Sequence, residues 1–525
     1  MVRLLYLSLV FLLFVCLPGA QTFQKNNYLQ TQNSFYIDAV NGKDKNNGIS
    51  QKTPWKTLNK VNNHTFTPGD KLFFKAGGIY PGQLKPKGSG TKINPIKIDK
   101  YGEGSKPELQ GNGLVDATLY LYNTQGWEVQ NLSISNQGAG RKAGRFGIHV
   151  ELKDFGTAHS IQLKNIDVHD VNGSLIKKEG GGAGIVFTNS GRRIQSKFDG
   201  VLIENCSIKT SARNGILING YWERTNWYPN KNVIIRKNLI EGVPGDGIVP
   251  VGCDSALIEY NVMRDCPRLL PDGEAAAGIW PWSSDNTIIQ YNEVSDHKAP
   301  WDAQGFDADW NCQNTIIQYN YSHDNEGGFL LICNDGSASK RSSIGNNGTI
   351  VRYNLSVNDG IRASGKHAGF SPVIHIAGPV RNSSIYNNVI YMQAKPAGID
   401  STVVNITDWQ GFSDSTVFAN NIFYTKAEVN YKISKGNRTI FEHNIYYGTH
   451  IDKPNDPFAV FRNPEFTING SLGLPGLKSA ENFRIPNGSP AIGKGKIMIS
   501  QSLKDFFGNI VVNTDKPTIG LHQVN

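Results

Sequence analysis

A short strand-like pattern that ends in asparagine recurs along most of this 525-residue chain. Two or three residues that favour β-structure precede each asparagine, as in residues 288–292 (IIQYN) and 350–354 (IVRYN). Successive asparagines lie 23 to 40 residues apart, and all but one of the ten spacings are 34 or shorter. A repeat of this length is typical of a solenoid in which each repeat forms one coil. The asparagines are Asn131, Asn165, Asn205, Asn238, Asn261, Asn292, Asn320, Asn354, Asn388, Asn421 and Asn444.

The pattern favours one particular solenoid, the parallel β-helix. Short strands of period two cannot bury an apolar face alone, whereas stacked coils pair each strand with the next coil and enclose a common core. Asparagine tolerates left-handed backbone at a bend, and its side chain can hydrogen-bond the asparagine stacked above it. The repeats lack the recurrent leucine of a leucine-rich horseshoe and the long uniform blades of a propeller. We therefore predict an all-β fold: a single right-handed parallel β-helix with an N-terminal cap and an irregular C-terminal cap.

Composition and the chain ends set the predicted organisation. The 56 glycines argue against a helix-rich protein, and the shares of charged (18%) and hydrophobic (39%) residues argue against a disordered chain or a multi-span membrane protein. One positive charge, an apolar run over residues 4–15 and a small residue, Ala20, before polar Gln21 are typical of a cleaved secretory signal. We expect four parts: a signal peptide (1–20), an N-terminal cap with the first coils (21–115), the β-helix with the active-site groove (116–447) and a C-terminal cap (448–525). The protein would be secreted or periplasmic, without membrane insertion, and a monomer.

Five cysteines remain after the signal, and no two are spaced as C-x-x-C. An odd number leaves at least one thiol unpaired within the chain. We expect buried free cysteines, with one disulfide as the alternative in an exported protein. They are Cys206, Cys253, Cys266, Cys312 and Cys333.

Motifs near both ends resemble a known group of proteins. Residues 36–42 (YIDAVNG), 53–58 (TPWKTL) and 488–493 (GSPAIG) are similar to the first strand, the short capping helix and the closing tail of secreted right-handed parallel β-helix enzymes that act on polysaccharides. The resemblance extends over nearly all of the mature chain. It implies a glycan substrate, but it does not specify the reaction.

A second register of strands indicates where the chemistry lies. Each of these strands follows a glycine, as in residues 278–282 (GIWPW) and 305–309 (GFDAD). The first and third residues after the glycine are apolar, so we expect the second and fourth to face outward. This places Trp280 and Trp282 beside Asp307 and Asp309 on one open face. Aromatic faces stack on sugar rings and carboxylates perform acid–base work, which makes the group a candidate glycan site.

The neighbouring turns add polar and titratable residues. Asn214, Gln304 and Trp301 are predicted to bind substrate together with the tryptophan pair. The remaining candidates for chemistry are Arg213, Asp246, His297, Lys298, His323 and Glu326. Asp302 lies in the same stretch, and no role is assigned to it.

The primary functional prediction is β-elimination on a uronate-containing, possibly sulfated, glycan. Lys298, His297, His323 and Arg213 could supply the base, the acid and the group that neutralises the substrate carboxylate. Asp246, Asp307 and Asp309 could bind Ca²⁺, as similar acidic residues do in several β-helix lyases. The net positive charge suits an anionic polysaccharide or oligosaccharide. The same chemistry on a terminal uronate would make the protein a dehydratase.

Two alternatives remain open. In a glycoside hydrolase, Asp307 or Asp309 would be the nucleophile or base and Glu326 the acid from the next coil. In a glycan-binding protein without catalysis, the same face would only hold sugars. Nucleic acid is disfavoured as a partner because the lysines are scattered without basic runs.

Overall fold

The computed structural model describes residues 32–337, 342–433, 438–469, 472–511 and 516–524. The predicted signal peptide and its cleavage site after Ala20 lie outside the described residues, so export stays a prediction. No helix in these ranges is long and apolar enough to cross a membrane.

Three parallel sheets wind along the chain as a β-helix, which confirms the all-β solenoid prediction. The first sheet pairs successive coils in register, for example Ile288 with Ile316 and Ile316 with Ile350. Its strands are Ser34–Ile37, Lys71–Lys75, Ile96–Tyr101, Trp127–Gln130, Thr157–Lys164, Lys197–Glu204, Asn230–Arg236, Cys253–Asp254, Leu257–Glu259, Ile288–Gln290, Ile316–Gln318, Ile350–Arg352, Ser384–Tyr386, Val417–Ala419 and Ile440–Glu442.

The second sheet follows the bend after the first. Its strands are Ile79–Pro81, Glu108–Gln110, Ser133–Asn136, Asp167–Val171, Ser207–Ser211, Leu239–Glu241, Val262–Arg264, Glu293–Ser295, Tyr321–His323, Leu355–Val357, Val389–Met392, Ile422–Ile433 and Ile445–Ile451. The long strand Ile422–Ile433 also pairs with the end of the third sheet.

The third sheet carries the outward face of interest. Its strands are Ala117–Tyr122, Arg145–Lys153, Gly182–Ser190, Asn214–Asn219, Ile248–Val251, Gln304–Ala308, Gly328–Cys333, Ile374–Ala377 and Thr402–Thr407. Single bridges from Ile248 to Ile279 and from Ile279 to Phe306 carry the stack across the coil between Val251 and Gln304. Three short pairs complete the strands, Thr65–Phe66 with Lys87–Gly88, Ala275–Ala276 with Trp301–Asp302, and Asn346–Asn347 with Val380–Arg381.

Among the residues that the structure describes, helix is confined to short caps and turns. One α-helix, Leu58–Asn62, lies near the N-terminal end, where Thr57 caps it by accepting a hydrogen bond from the Lys60 amide. The 3₁₀ turns are Lys177–Glu179, Arg224–Asn226 and Leu477–Phe483.

The repeated asparagines form a buried ladder through eight coils. From Asn238 to Asn421, each backbone N–H donates to the side-chain oxygen of the asparagine one coil further on, at 2.9–3.1 Å. The series ends at Asp456, whose carboxylate accepts from the backbone and side-chain nitrogens of Asn444 at 3.0 and 2.9 Å. The ladder satisfies backbone groups at a bend that water cannot reach.

The left-handed residue at this bend changes along the chain. Asn131, Asn165 and Asn205 have positive φ, as predicted. In the later coils the residue before the asparagine takes that conformation instead, and the prediction is wrong there. In four of these coils that residue is a tyrosine: Tyr260, Tyr291, Tyr319 or Tyr353. The rings of successive tyrosines stack with centroids 4.9 to 6.0 Å apart, which orders the strained bend by ring packing.

The C-terminal part does more than cover the last coil. Val460 pairs with Ile445 at the end of the solenoid. Beyond residue 472, however, apolar side chains such as Phe483 and Leu521 pack against the tyrosine stack along the side of the solenoid. The five cysteines after the signal are buried and free, which confirms the expectation of unpaired thiols.

We predict that Asn320→Ala lowers the free energy of unfolding by at least about 2 kcal/mol, because it strands several buried hydrogen-bonding groups. Asn320 is fully buried, and its side chain bonds the Ile289 carbonyl, Asn292 and Asn354. Chemical denaturation followed by circular dichroism measures the change. The matched control is Asn94→Ala, at an exposed asparagine outside the ladder, which should change stability by less than about 0.5 kcal/mol. Equal effects of the two substitutions would contradict a stabilising ladder.

Candidate active site

A cleft of about 780 Å³ opens on the outward face of the third sheet. The register places Trp280, Asp307, Leu331 and His375 in one outward row, because Ile279 pairs with Phe306, Asp307 with Leu331 and Leu331 with His375. By the alternation of side chains, the adjacent row contains Trp282, Asp309 and Cys333. The cleft therefore arises from in-register stacking of successive coils.

Aromatic side chains form most of the cleft wall. Trp282 stacks on Trp222 with ring centroids 5.3 Å apart and meets Trp310 edge to face at 6.5 Å. On the other side, Trp301 stacks on Phe370 at 5.5 Å. The aromatic rings that line the cleft are Trp280, Trp282, Trp301, Trp310, Phe370 and Trp409. Such a wall offers flat apolar faces to sugar rings.

Three carboxylates line the cleft, each next in sequence to one of the lining tryptophans: Asp302, Asp309 and Asp408, of which Asp408 is exposed and the other two are half-buried. Burial, and then the nearby charge of Asp309, raise the pKa of Asp302 to about 7. Burial also raises the pKa of Asp309. Asp307 lies behind them, only 3% exposed, and burial followed by the charges of Asp302 and Asp309 raises its pKa well above its usual range. The cleft thus holds carboxyl groups that resist ionisation.

Two donors hold the Asp309 carboxylate through a single oxygen. The Trp310 backbone N–H donates to Oδ1 at 2.6 Å, and the Cys333 thiol lies 3.0 Å from the same atom. Both bonds favour the charged form of Asp309 and partly offset the effect of burial on its pKa. Within the described residues no hydrogen bond to Oδ2 is seen, so this oxygen can face the cleft.

The backbone around Asp302 is unusual. Asp302 and Ala303 are consecutive left-handed residues, with φ of 59° and 64°, a conformation that costs about 1–2 kcal/mol for a residue with a side chain. The buried Arg362 guanidinium donates to the carbonyls of Pro300 and Asp302. Gly327 packs so closely that a Cβ there would lie 1.6 Å from the Asp302 carbonyl oxygen. These contacts hold the turn that presents Asp302.

The indole of Trp280 is held in place by a hydrogen bond to Asp246. The Asp246 carboxylate accepts from the Trp280 indole N–H at 3.1 Å and from the Ala277 amide at 3.2 Å. Arg213, fully buried, lies 3.6 Å from Asp246 and 3.3 Å from Glu274. Sequence reasoning gave Arg213 the task of neutralising a substrate carboxylate; its charge is instead neutralised within the protein.

The structure places four more predicted chemical groups outside the cleft lining. His297 is fully buried, bonds the Gly245 carbonyl at 2.9 Å, and burial lowers its pKa to about 4. His323 is held between Asp324 and Glu293, whose hydrogen bonds outweigh burial and raise its pKa to about 9. Glu326 pairs with Arg268. Lys298 lies near Asp296. None of the four is among the residues that line the cleft, and their predicted catalytic roles stay predictions.

Asn214 and Gln304, predicted to bind substrate, are also buried and do not line the cleft. Trp280, Trp282 and Trp301 do line it, and their role in binding stays a prediction. Sequence reasoning gave no role to Asp302, Trp310, Cys333 or Trp409. Asp302 follows Trp301 directly and Trp310 follows Asp309, so adjacency to a predicted residue was the available signal.

Calcium stays a prediction. Asp246 and Asp307 are buried and Asp309 lines the cleft. In the part of the chain that the structure describes, no group of three or more His, Cys, Asp or Glu side chains has the arrangement needed to hold a metal ion. Carboxylates that burial keeps from ionising are also poor ligands for Ca²⁺.

Comparison with known proteins is consistent with this geometry. A family model described as "right handed beta helix region" matches residues 147–390. A lacto-N-biosidase of Bifidobacterium longum subsp. longum is 27% identical over 608 aligned positions, which include 93% of this chain and 36% of that protein. This chain therefore spans about a third of the length of the curated relative.

Solved structures give the same picture. A GH136 lacto-N-biosidase from Eubacterium ramulus is 27% identical with a TM-score of 0.56, covering 71% of this chain and 66% of that one. Its selenomethionine derivative aligns at 26% identity and a TM-score of 0.59, covering 75% and 69%. XylC in complex with xylose, at 12% identity and a TM-score of 0.52, covers 93% and 98% and shares the fold.

The protein is a right-handed parallel β-helix similar to carbohydrate-active enzymes of this fold, as the resemblance implied. The more specific prediction of a lyase or a dehydratase is wrong, because the relatives similar in sequence as well as in fold, at 26–27% identity, are lacto-N-biosidases of a glycoside hydrolase family. The site agrees with this correction, since Arg213, His297 and His323 are engaged elsewhere in the structure.

We predict that Asp246→Ala destabilises the protein by about 3–5 kcal/mol, because it leaves the buried Arg213 charge underpaired and frees the Trp280 indole. Unfolding in denaturant, followed by tryptophan fluorescence, measures both effects. The matched control is Asp116→Ala, which removes an exposed ion pair to Lys142 and should cost less than about 1 kcal/mol. An Asp246→Ala protein as stable as the control would show that the Arg213 network does not support the cleft.

Proposed function

We propose that the protein is a glycoside hydrolase whose two catalytic carboxyl groups are Asp302 and Asp309. The observation that carries the proposal is the placement of both residues in one aromatic cleft, where burial raises both pKa values. This pair differs from the pair of Asp307 or Asp309 with Glu326 that the sequence suggested. Asp307 lies behind the lining, and Glu326 is paired with Arg268.

The environments of the two residues suggest different roles. Asp302, with a pKa raised by burial and by Asp309 to about 7, retains a proton near neutral pH and suits the general acid. Asp309 accepts hydrogen bonds from Trp310 and Cys333, which favour its charged form and suit a nucleophile or base. Two carboxyl groups with different hydrogen-bonding environments, one suited to be the acid and one to be the nucleophile or base, are the arrangement that glycosidases use.

The reaction follows from these roles. A sugar stacked against the tryptophan wall would place its glycosidic oxygen beside Asp302, which donates a proton as the C–O bond to the leaving sugar breaks. Asp309 would either attack the anomeric carbon or take a proton from the attacking water. A separation of about 5–5.5 Å between the carboxyl groups indicates direct attack by Asp309 with retention of configuration. A separation of about 6.5–9.5 Å indicates attack by water with inversion.

The cleft charge favours a neutral glycan over the anionic one expected from the net charge. Asp302, Asp309 and Asp408 line the cleft with Asp307 behind them, whereas Lys177, 5.0 Å from the Trp280 ring centre, is the cationic side chain among the lining residues. A substrate carboxylate there would meet like charges whenever these groups ionise. Following the relatives' name, we propose that the enzyme releases lacto-N-biose from an oligosaccharide. Because this chain spans only 36% of the curated relative, the identity of the substrate belongs to the proposal.

We predict that Asp302→Asn and Asp309→Asn each lower kcat/KM at least about 10³-fold on an aryl β-lacto-N-bioside or an oligosaccharide that contains lacto-N-biose, because each removes one half of the carboxyl pair. The control Glu326→Gln, outside the cleft, should stay within about fivefold of the wild type. Products are followed by reducing ends and mass. An unsaturated product absorbing in the ultraviolet, or full activity in Asp309→Asn, would contradict the proposal.

The pH profile gives an independent test. Because Asp302 must be protonated to act as the acid, and its pKa is about 7, kcat/KM should fall as the pH rises through about 7. Cys333→Ala removes a donor to the Asp309 carboxylate, which raises the pKa of Asp309, so the acidic limb of the profile should move to higher pH. Cys333→Ser keeps a donor and should restore the profile. If the acidic limb lies at the same pH in the wild type, Cys333→Ala and Cys333→Ser proteins, the thiol does not have this role.

A further inference from the structure

A second cleft lies on the same sheet, in the N-terminal coils. It has a volume of about 550 Å³ and is lined mainly by the strands Ala117–Tyr122 and Arg145–Lys153 and by the turn before the first of them. We call it the Tyr120 cleft. It shares no lining residue with the cleft that contains Asp302 and Asp309.

The two clefts are separated along the solenoid axis. Tyr120 pairs with His149, His149 with Val186, Val186 with Leu217, and Leu217 with Val249. The bridge from Ile248 to Ile279 adds one more coil and brings the stack to Trp280. Five coil steps of about 4.8 Å place the clefts about 24 Å apart. Val186 and Val249, outward positions between them, are buried, so the clefts are separate openings.

The aromatic rings that line the Tyr120 cleft are not part of the hydrophobic core. The rings of Tyr120 and His149 stack with centroids 5.3 Å apart at 25°, and Phe146 meets His149 edge to face at 5.3 Å. Tyr120 and Phe146 are only partly buried and lie outside the hydrophobic core clusters. Leu114, at the rim, is 86% exposed. Apolar groups gathered in a concave surface, away from the core, mark a binding site more often than a structural one.

Polar groups of both signs surround these rings. Glu151 accepts a hydrogen bond from the Tyr120 hydroxyl at 2.5 Å. Lys142 pairs with Asp116 at 2.9 Å, and both are mostly exposed. Lys85 lies 4.7 Å from the centre of the Tyr120 ring. Two carboxylates and two ammonium groups offer hydrogen-bond acceptors and donors without a dominant charge, which suits a neutral ligand rich in hydroxyl groups.

We propose that the Tyr120 cleft is a second glycan-binding site, which holds neutral sugars about 24 Å from the hydrolytic cleft. The class of ligand rests on the proposed function, whereas the site rests on its own geometry. A long oligosaccharide could engage both clefts of one molecule, which would raise its affinity through the second contact without changing the chemistry at the first. A short substrate would use the hydrolytic cleft alone.

The test uses the full chain with Asp302→Asn, so that substrate is not consumed. Neutral oligosaccharides of two to eight sugars, from lacto-N-biose to poly-N-acetyllactosamine, are titrated and followed by calorimetry. For the longest glycans we expect binding that Tyr120→Ala weakens at least about tenfold, whereas the disaccharide should bind both proteins equally. The control is Phe458→Ala, a 56% exposed aromatic residue in the C-terminal part, which should leave binding unchanged. The proposal is overturned if affinity does not depend on the length of the glycan, or if Tyr120→Ala does not change it.

Two further measurements distinguish failure of this site from misfolding of a variant and from failure of the proposed function. If Tyr120→Ala does not fold, Leu114→Arg at the exposed rim should block the cleft with little effect on stability, and unchanged binding in that variant also overturns the site. In the Asp302-intact protein, Tyr120→Ala should keep kcat/KM on a short aryl glycoside within about twofold. A wild type that binds long glycans through Tyr120 but hydrolyses nothing would sink the proposed function and leave this site standing.

Discussion

In-register stacking of coils determines which side chains lie beside one another along the whole solenoid. Each strand pairs in parallel with the coil before and the coil after it, so a residue at one position in a coil lies directly beside its counterpart in the next. The buried asparagine ladder fixes this register at one bend, and the tyrosine stack supports it there. Because one-residue slips would turn every side chain to the opposite face, the ladder indirectly determines which residues reach the cleft.

The proposed catalytic cleft combines strained backbone with unfavourable burial of carboxyl groups, both of which lower stability. Asp302 and Ala303 adopt left-handed backbone, and Arg362 and Gly327 hold them there. Asp302, Asp307 and Asp309 lie within reach of one another's charges in a poorly solvated region, so their protons are hard to remove. Strain and unfavourable burial concentrated at one position are typical of functional sites.

The fold and the outward-facing rows of side chains on the third sheet could be predicted from the sequence because both follow from periodicity. The spacing of the asparagines predicted the coils, and strand alternation placed Trp280, Trp282 and Asp309 on one face. It could not reach Asp302, which lies at a left-handed turn where alternation gives no direction. Nor could it show that Arg213 meets Glu274, 61 residues later, or that His323 lies between Asp324 and Glu293. Charges that looked available for elimination were already paired, and only tertiary contacts reveal this.

A crystal structure of the Asp302→Asn protein with a bound oligosaccharide that contains lacto-N-biose would show whether Asp302 and Asp309 are the catalytic pair. We expect a sugar stacked on the tryptophan wall, with its glycosidic oxygen within hydrogen-bonding distance of the residue-302 side chain and its anomeric carbon facing Asp309. A sugar bound with its scissile bond away from both residues, or with its reacting carbon beside Lys298 or His323, would refute the assignment of this pair.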